Sequence, residues 1–253
     1  MHGRRPPLRV HSGMGFVEDD EEAGMPSATL EEYLEAIYKL AERGEVRPGA
    51  LAEAMGVSAP TVTATLSRLK AAGLIQRREG AVELTLAGRQ TALDIVRRHR
   101  LAERFLVDVL GLPWDEVHEE ACQLEHALSP KVQEALESFM DNPAVCPHGH
   151  PIPAADGTIA LTQGAPLCES AAGDEADIIR IDDEQGELLT YLASLGMFPG
   201  TSVRICDVAP FKGPLLVEVG DARYAIGRDV AEKIIVSSAA APAKRKGRLG
   251  IRR

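Results

Sequence analysis

The apolar positions of this chain change period several times, and the changes divide it. From Leu30 to about Arg43, Leu30, Leu34, Ile37, Tyr38 and Leu40 recur at helical spacing behind Thr29, a good N-cap. Glu31, Glu32 and Glu35 read as the solvated side of that helix. A short helix is predicted from Pro48 to Met55, ending at Gly56, and Val57-Ser58 leads into a second from Ala59 to Ala72. Ser58 caps this second helix, and Pro60 falls in its first turn, where a missing N–H is tolerated. Val62, Leu66 and Leu69 point inward, which leaves Thr61, Thr63, Ala64, Thr65, Ser67 and Arg68 on or near the outer face. Leu74–Arg78 and Ala81–Leu86 then alternate about Glu79-Gly80, the pattern of a tight hairpin. Helix, glycine turn, helix and hairpin in that order predict a winged helix-turn-helix.

Helical period returns from Arg89, after Gly88, to about Leu110, with Leu93, Val96, Leu101, Phe105, Leu106 and Val109 on one side. Gly111-Leu112-Pro113 breaks it, and two more helices are expected, about Trp114–Leu128 and Ser129–Met140. These helices carry more apolar positions than so small a domain can cover, which predicts pairing in a homodimer. Residues 162–176, rich in Gly, Ala and Pro, read as a linker. Beyond them the period becomes two. Ile178–Ile181, Val203–Val208, Leu215–Val219, Arg223–Ile226 and Ile234–Val236 predict five short strands around one helix from Gly186 to Leu195, the pattern of a small SH3-like barrel. The fold class is therefore mainly α. A tail (1–24) precedes a winged helix-turn-helix domain (25–96) and a helical domain (97–161). A linker (162–176), an SH3-like domain (177–238) and a basic tail (239–253) complete the plan.

Composition changes this picture little and charge more. Of 253 residues 45% are hydrophobic, ordinary for a globular protein, and the N-terminal stretch has no apolar core of a secretion signal. The four cysteines have no framework spacing, so free thiols or metal ligands in a cytoplasmic protein are expected. The net charge of −10 argues against nucleic acid, yet Ser58 to Arg100 holds eight Lys/Arg against three acids. That local excess, with Arg77 and Arg78 in the hairpin, favours double-stranded DNA as the partner. The DNA-facing candidates are Ser58, Pro60, Thr61, Thr63, Ala64, Arg68, Arg77 and Arg78. Small hydroxyl and methyl groups suit thymine methyls and phosphates. The absence of an Asn or Gln fork points to readout of shape more than of bases.

The candidate chemistry lies between the winged domain and the linker. His118, Cys122, Glu125 and His126 fall at i, i+4, i+7 and i+8 and share a helix face. Imidazole, thiolate and carboxylate are the donors of a transition-metal site, and at ~1.5 Å per residue the two ends lie roughly 10–12 Å apart. One ion cannot reach both, so two neighbouring sites, or one site and a bystander, are expected. His99 and Glu103, at i, i+4 on the preceding helix, can form the opposite wall. The plain alternative is a solvated polar face. Cys146-Pro147-His148-Gly149-His150 also resembles a metal tract but reads mainly as a structural turn.

At this point Glu32–Tyr38, Ser58–Thr63, Arg98–Arg104, Val117–His126 and Pro147–Pro153 together resemble the diphtheria toxin repressor family of metal-dependent transcriptional regulators. The resemblance is continuous from about Thr29 to Pro153 and looser to Val236. It implies a regulatory site of Cys122, Glu125 and His126 with position 32, Glu35 joining as in the manganese branch. It implies an ancillary site of His99, Glu103 and His118, to which the last domain lends oxygens, with Glu184 and Glu187 as candidates. Iron-type relatives have methionine at position 32 and manganese-type relatives aspartate; Glu32 is a hard donor, while Cys122 follows the iron type. The cofactor is therefore expected to be Mn²⁺ or Fe²⁺, two sites per subunit. The implied function is metal-activated repression of metal-homeostasis genes by a homodimer, with one or two dimers on an operator. Two other readings stay open: a winged-helix regulator that needs no metal, and a helical di-metal enzyme.

Overall fold

The computed structural model describes residues 27–160, 163–183 and 186–237. The winged domain forms as the pattern requires. Helices α1 (Ala28–Ala41), α2 (Pro48–Ala54) and α3 (Ala59–Ala71) precede a hairpin of β1 (Ile75–Arg78) and β2 (Ala81–Leu84). The hairpin pairs Arg78 with Ala81, and Glu79 accepts a positive φ of 53° at the turn. Ser58 Oγ caps α3 by accepting from the Thr61 amide at 3.4 Å. α1 begins behind Ser27, without a side-chain cap, and not behind Thr29. Thr65 also departs from expectation: it is buried, its hydroxyl donating to Thr61 O.

Helix α4 (Leu86–Asp108) is the spine, ~35 Å long at 1.5 Å per residue. It starts two residues before Gly88 because Thr85 Oγ1 accepts from the Gly88 amide. Gly88 itself lies where α4 crosses the wing: a Cβ there would stand 1.8 Å from Leu74 O. The first half of α4 (Ala92, Leu93, Ile95, Val96) completes the core of the winged domain with Leu34, Ile37, Leu66 and Leu69. The second half (Ala102, Leu106) packs on Val117, Ala121 and Leu128 of the next hairpin of helices, α5 (Val117–Glu125) and α6 (Pro130–Phe139). Because one helix serves both cores, any change at its middle is felt by both.

The C-terminal domain is a six-stranded antiparallel sheet in the order β3-β8-β4-β5-β6-β7, with helices α7 (Gly186–Ser194) and α8 (Arg228–Lys233). Its strands are β3 (Ala165–Pro166), β4 (Glu175–Ile181), β5 (Ser202–Val208), β6 (Leu215–Val219), β7 (Ala222–Ile226) and β8 (Ile234–Val236). The five expected strands are all present. The closed barrel is not: β3 and β7 remain the two edges of an open sheet, bent by register shifts at Ile178/Arg180 and Ile205/Asp207. The sixth strand comes from the stretch read as a linker. There β3 pairs with β8, and Leu167 is fully buried, so part of that stretch is core.

The last domain is tied to the helical one through the Trp114 loop, where Thr190 Oγ1 also donates to Asp115 Oδ2, and through the turn 146–151. Trp114, in the loop after α4, enters the C-terminal core, its ring 4.9 Å from Phe198. The turn 146–151 lies against β4: the Ile181 amide donates to His148 O, and His150 Nε2 lies 3.0 Å from Ile181 O. Gly149 allows this approach, since a Cβ would come within 2.1 Å of Ile179 O. On the far side, Phe105 of α4, Val109 just after it, and Val132, Leu136 and Phe139 of α6 line an uncovered apolar groove, with Phe139 70% exposed.

Candidate metal centre and DNA-binding surface

Helices α4 and α5 bring the polar groups together. α5 packs along the middle of α4, so the His118 face meets His99 and Glu103 in a largely water-free seam. His99 is 1% and Glu103 0% exposed. His99 is the hub. Its Nδ1 lies 2.6 Å from Glu125 Oε2, and its Nε2 lies 3.2 Å from both Glu103 Oε1 and His118 Nδ1. Cys122 Sγ stands 3.9 Å from His99 Nδ1 and from His118 Nε2. The two groups that helix rise separates are therefore joined, by the residue from the facing helix.

A second knot shares Glu103. His148, fully buried, is 2.8 Å from Trp114 O through Nε2, and its Nδ1 is 3.3 Å from Glu103 Oε1. Donor atoms of Glu103, Cys146 and His148 fall within 4.8 Å of one another, as do those of His99, His118 and Cys122, and of Glu35, His99 and Glu125. Three histidines thus crowd Glu103 Oε1, while Glu103 Oε2 is buried with no hydrogen-bond partner. His126 Nε2 is in the same condition, 3.5 Å from Glu125 Oε1.

The electrostatics follow from burial and crowding. Burial opposes charge on His99, but the Glu103 carboxylate and bonds to Cys122, Glu103 and Glu125 lift its pKa well above the usual value. Burial likewise opposes charge on Glu103, and the charged His99 with bonds from His118, His148 and His99 holds it well below the carboxylate range. Burial raises the Cys122 thiol, but bonds to His118 and His99 win and bring it down, toward the thiolate that a metal takes. Glu125 moves up, through burial and the nearby Glu35 charge, against its bond to His99. His148, against the cost of burial, is carried to about 11 by Cys146 and Glu103.

The structure brings together His99, Glu103, His118, Cys122, Glu125 and His126, with Glu35 at the edge, close to Glu125. It does not bring Glu32 in: that side chain is exposed. The α1 acid inside the protein is Glu31, 3% exposed, with Oε2 at 2.7 Å from His126 Nδ1 and Oε1 accepting from Arg98 Nη2 at 2.9 Å. Its sequence signal is that it stands three residues before Leu34 and seven before Tyr38, on the apolar stripe, where an acid needs a partner. Arg98, Cys146 and His148 were likewise outside the expected set. Glu184 lies outside the described residues. Glu187 is exposed in the first turn of α7, while Asp183 and Gly186 share an open cleft with His118.

All eight expected DNA-facing residues, Ser58, Pro60, Thr61, Thr63, Ala64, Arg68, Arg77 and Arg78, are exposed. The hydroxyls of α3 are held by its own backbone, Thr63 on Ala59 O and Ser67 on Thr63 O, which makes the surface small and rigid.

A winged helix-turn-helix joined by one spine to a buried donor cluster is the design of a metal-responsive DNA-binding regulator, and comparison with known proteins gives the particular family. The family description "Iron dependent repressor, N-terminal DNA binding domain" matches residues 25–79. "Iron dependent repressor, metal binding and dimerisation domain" matches 85–154, and "FeoA domain" matches 165–238. The iron-dependent repressor IdeR of Mycobacterium tuberculosis is 35% identical over 230 residues, 82% of this chain and 96% of that protein. The diphtheria toxin repressor of Corynebacterium diphtheriae is 40% identical over 192 residues, 71% of this chain and 84% of that one. A solved manganese-dependent transcriptional repressor in complex with manganese superposes with a TM-score of 0.78 at 37% identity, covering 83% of this chain and 99% of its own. The chain belongs to the iron-dependent, diphtheria toxin repressor family. It is a metal-dependent DNA-binding transcriptional repressor and not an enzyme. No helix among its described residues is long and apolar enough to cross a membrane.

Proposed function

We propose that this repressor senses Mn²⁺ or Fe²⁺ and, when loaded, holds metal-homeostasis genes silent as a homodimer in the cytoplasm. The observation that carries the metal reading is the pair of buried, unpartnered donor atoms, Glu103 Oε2 and His126 Nε2, inside a seam of imidazoles, carboxylates and one cysteine sulfur. Buried polar atoms are seldom left without a partner, so both fit a cation that completes them. Cys122, Glu125 and His126 with Glu35 would hold the regulatory ion. His99, Glu103 and His118, whose Nε2, Oε1 and Nδ1 lie 3.2–3.6 Å from one another, would hold a second, with Cys146 and His148 beside Glu103 as a further donor set. The carboxylates suit Mn²⁺, and Cys122 favours Fe²⁺ as the second reading. The bound ion supplies positive charge that neutralises the acids at the junction of α1, α4 and α5.

The chain's own residues do the rest. Glu31 and Glu35 belong to the winged domain, and Glu125 and His126 to the helical one. Drawing them together selects one relative position of the two. The apolar groove of Phe105, Val109, Val132, Leu136 and Phe139 supplies the dimer surface. Two recognition helices then face successive major-groove turns, and two dimers can share an operator. Arg77 and Arg78 grip phosphates, and α3 reads the groove.

The test is DNA binding by the full chain on fragments of its own genome, with chelator and then with Mn²⁺, anaerobic Fe²⁺ or Zn²⁺ returned. Binding restored by Mn²⁺ or Fe²⁺ alone supports the reading and names the ion. Equal binding with chelator and with metal removes the switch.

A further inference from the structure

A carboxylate accepts hydrogen bonds and donates none, so the 2.7 Å contact between Glu31 Oε2 and His126 Nδ1 fixes the proton on Nδ1. That leaves Nε2, buried, without a hydrogen-bond partner and 3.5 Å from Glu125 Oε1, as the ring nitrogen on the side of the donor seam. Glu31 is itself held. Its other oxygen accepts from Arg98 Nη2 at 2.9 Å, and Arg98 Nη1 donates to Glu125 O at 3.2 Å, at the end of α5. Arg98 is 2% exposed, so the brace lies in the interior.

We infer that Glu31, anchored by Arg98, is a positioning residue for the regulatory metal: it orients the His126 ring, sets its tautomer, and carries the state of the ring to α1. The inference rests on the proposed regulatory site. Carboxylate, histidine and metal in line form a recurring arrangement in which the outer carboxylate raises the basicity of the ligand. Here the outer carboxylate comes from another domain. A cation held at Nε2 would make Nδ1–H a stronger donor to Glu31, and Glu31 stands on the first helix of the DNA-binding domain. Glu31 thereby links metal occupancy to recognition-helix position without touching the ion. The exposed Glu32, one residue on, has no such path.

The experiment compares the full-length chain with Glu31→Gln, Glu32→Gln and His126→Ala. Mn²⁺ affinity is read by electron paramagnetic resonance, and the His126 tautomer by ¹⁵N NMR of the chelated protein. Glu31→Gln is expected to weaken Mn²⁺ about 10–100-fold at unchanged stoichiometry and to shift His126 away from a pure Nδ1–H form. Glu32→Gln should change affinity less than about twofold, in line with its exposed position. If Glu31→Gln unfolds because Arg98 is stranded, the double variant Glu31→Gln/Arg98→Met removes the stranded charge and is read the same way. Wild-type affinity and tautomer in the Glu31 variant, with affinity lost in His126→Ala, overturn this inference alone. Wild-type affinity in His126→Ala overturns the regulatory-site assignment, and the inference with it.

Discussion

The donor seam and the recognition surface use polar side chains in opposite ways. In the seam, His99, Glu103 and Glu125 are buried and lean on one another across helices. On α3, Thr63 and Ser67 are exposed and lean only on their own backbone. The seam's stability therefore depends on charge state and on how α1, α4 and α5 sit together. The hydroxyls of the recognition surface take their partners from within α3 itself. The contrast teaches that only the seam ties separate helices together through its polar groups, while the recognition surface is built within one helix.

The comparison breaks most severely at the hub. His99→Ala strips Glu103 and Glu125 of their shared partner. Metal-stimulated DNA binding should fall by more than about 100-fold, and the metal-free chain should lose about 3–5 kcal/mol, as expected when one member of a buried ion pair is removed. Fluorescence anisotropy and denaturant melts would check the two. Phe139→Asp puts a charge into the apolar groove. It should turn the loaded dimer into monomer in sedimentation and weaken operator binding by roughly tenfold or more, at intact metal affinity. Arg78→Ala in the wing should cost several-fold in DNA affinity on any sequence. It should also lower the slope of log K against log salt by about one, with no effect on metal.

Protons sharpen the comparison further. The pKa of His99 is raised, so the metal-free ring keeps its proton to higher pH than a free imidazole, and an ion that takes its nitrogen or its partners competes with that proton. Metal affinity should therefore fall as pH falls, with proton release measured by calorimetry in buffers of different ionisation enthalpy. The raised value also means that the stability His99 contributes is fully present below its unfolded pKa, ~6.5, and is lost as pH rises through its higher folded value. Bound metal should abolish that alkaline loss. The smallest effect belongs to Glu187→Gln: an exposed residue should change metal affinity less than about twofold, read by titration.

Period and punctuation were enough for most of the fold. The winged domain could be placed from Gly56, Ser58 and Glu79-Gly80, and four of the five expected strands begin within one residue of their places. What period does not carry is closure, because whether the edges of a sheet meet depends on bends such as Ile205/Asp207 that no single strand announces. The short β3 was missed for a similar reason. Two residues have no period, and Gly, Ala and Pro around Leu167 look like a linker until the partner strand β8 is known.

The sequence by itself determined the donor types, their shared helix face, and the recognition surface, since all of these follow from spacing along single helices. Only the tertiary structure decided which donors meet. Helix α5 slides along α4 to a depth that joins His99 to Glu125, and the 146–151 turn brings His148 to Glu103. α1 is turned so that Glu31, and not Glu32, enters the seam. A rotation of ~100° separates adjacent residues on a helix, and burial of α1's Leu34, Ile37 and Tyr38 in the winged-domain core sets that angle.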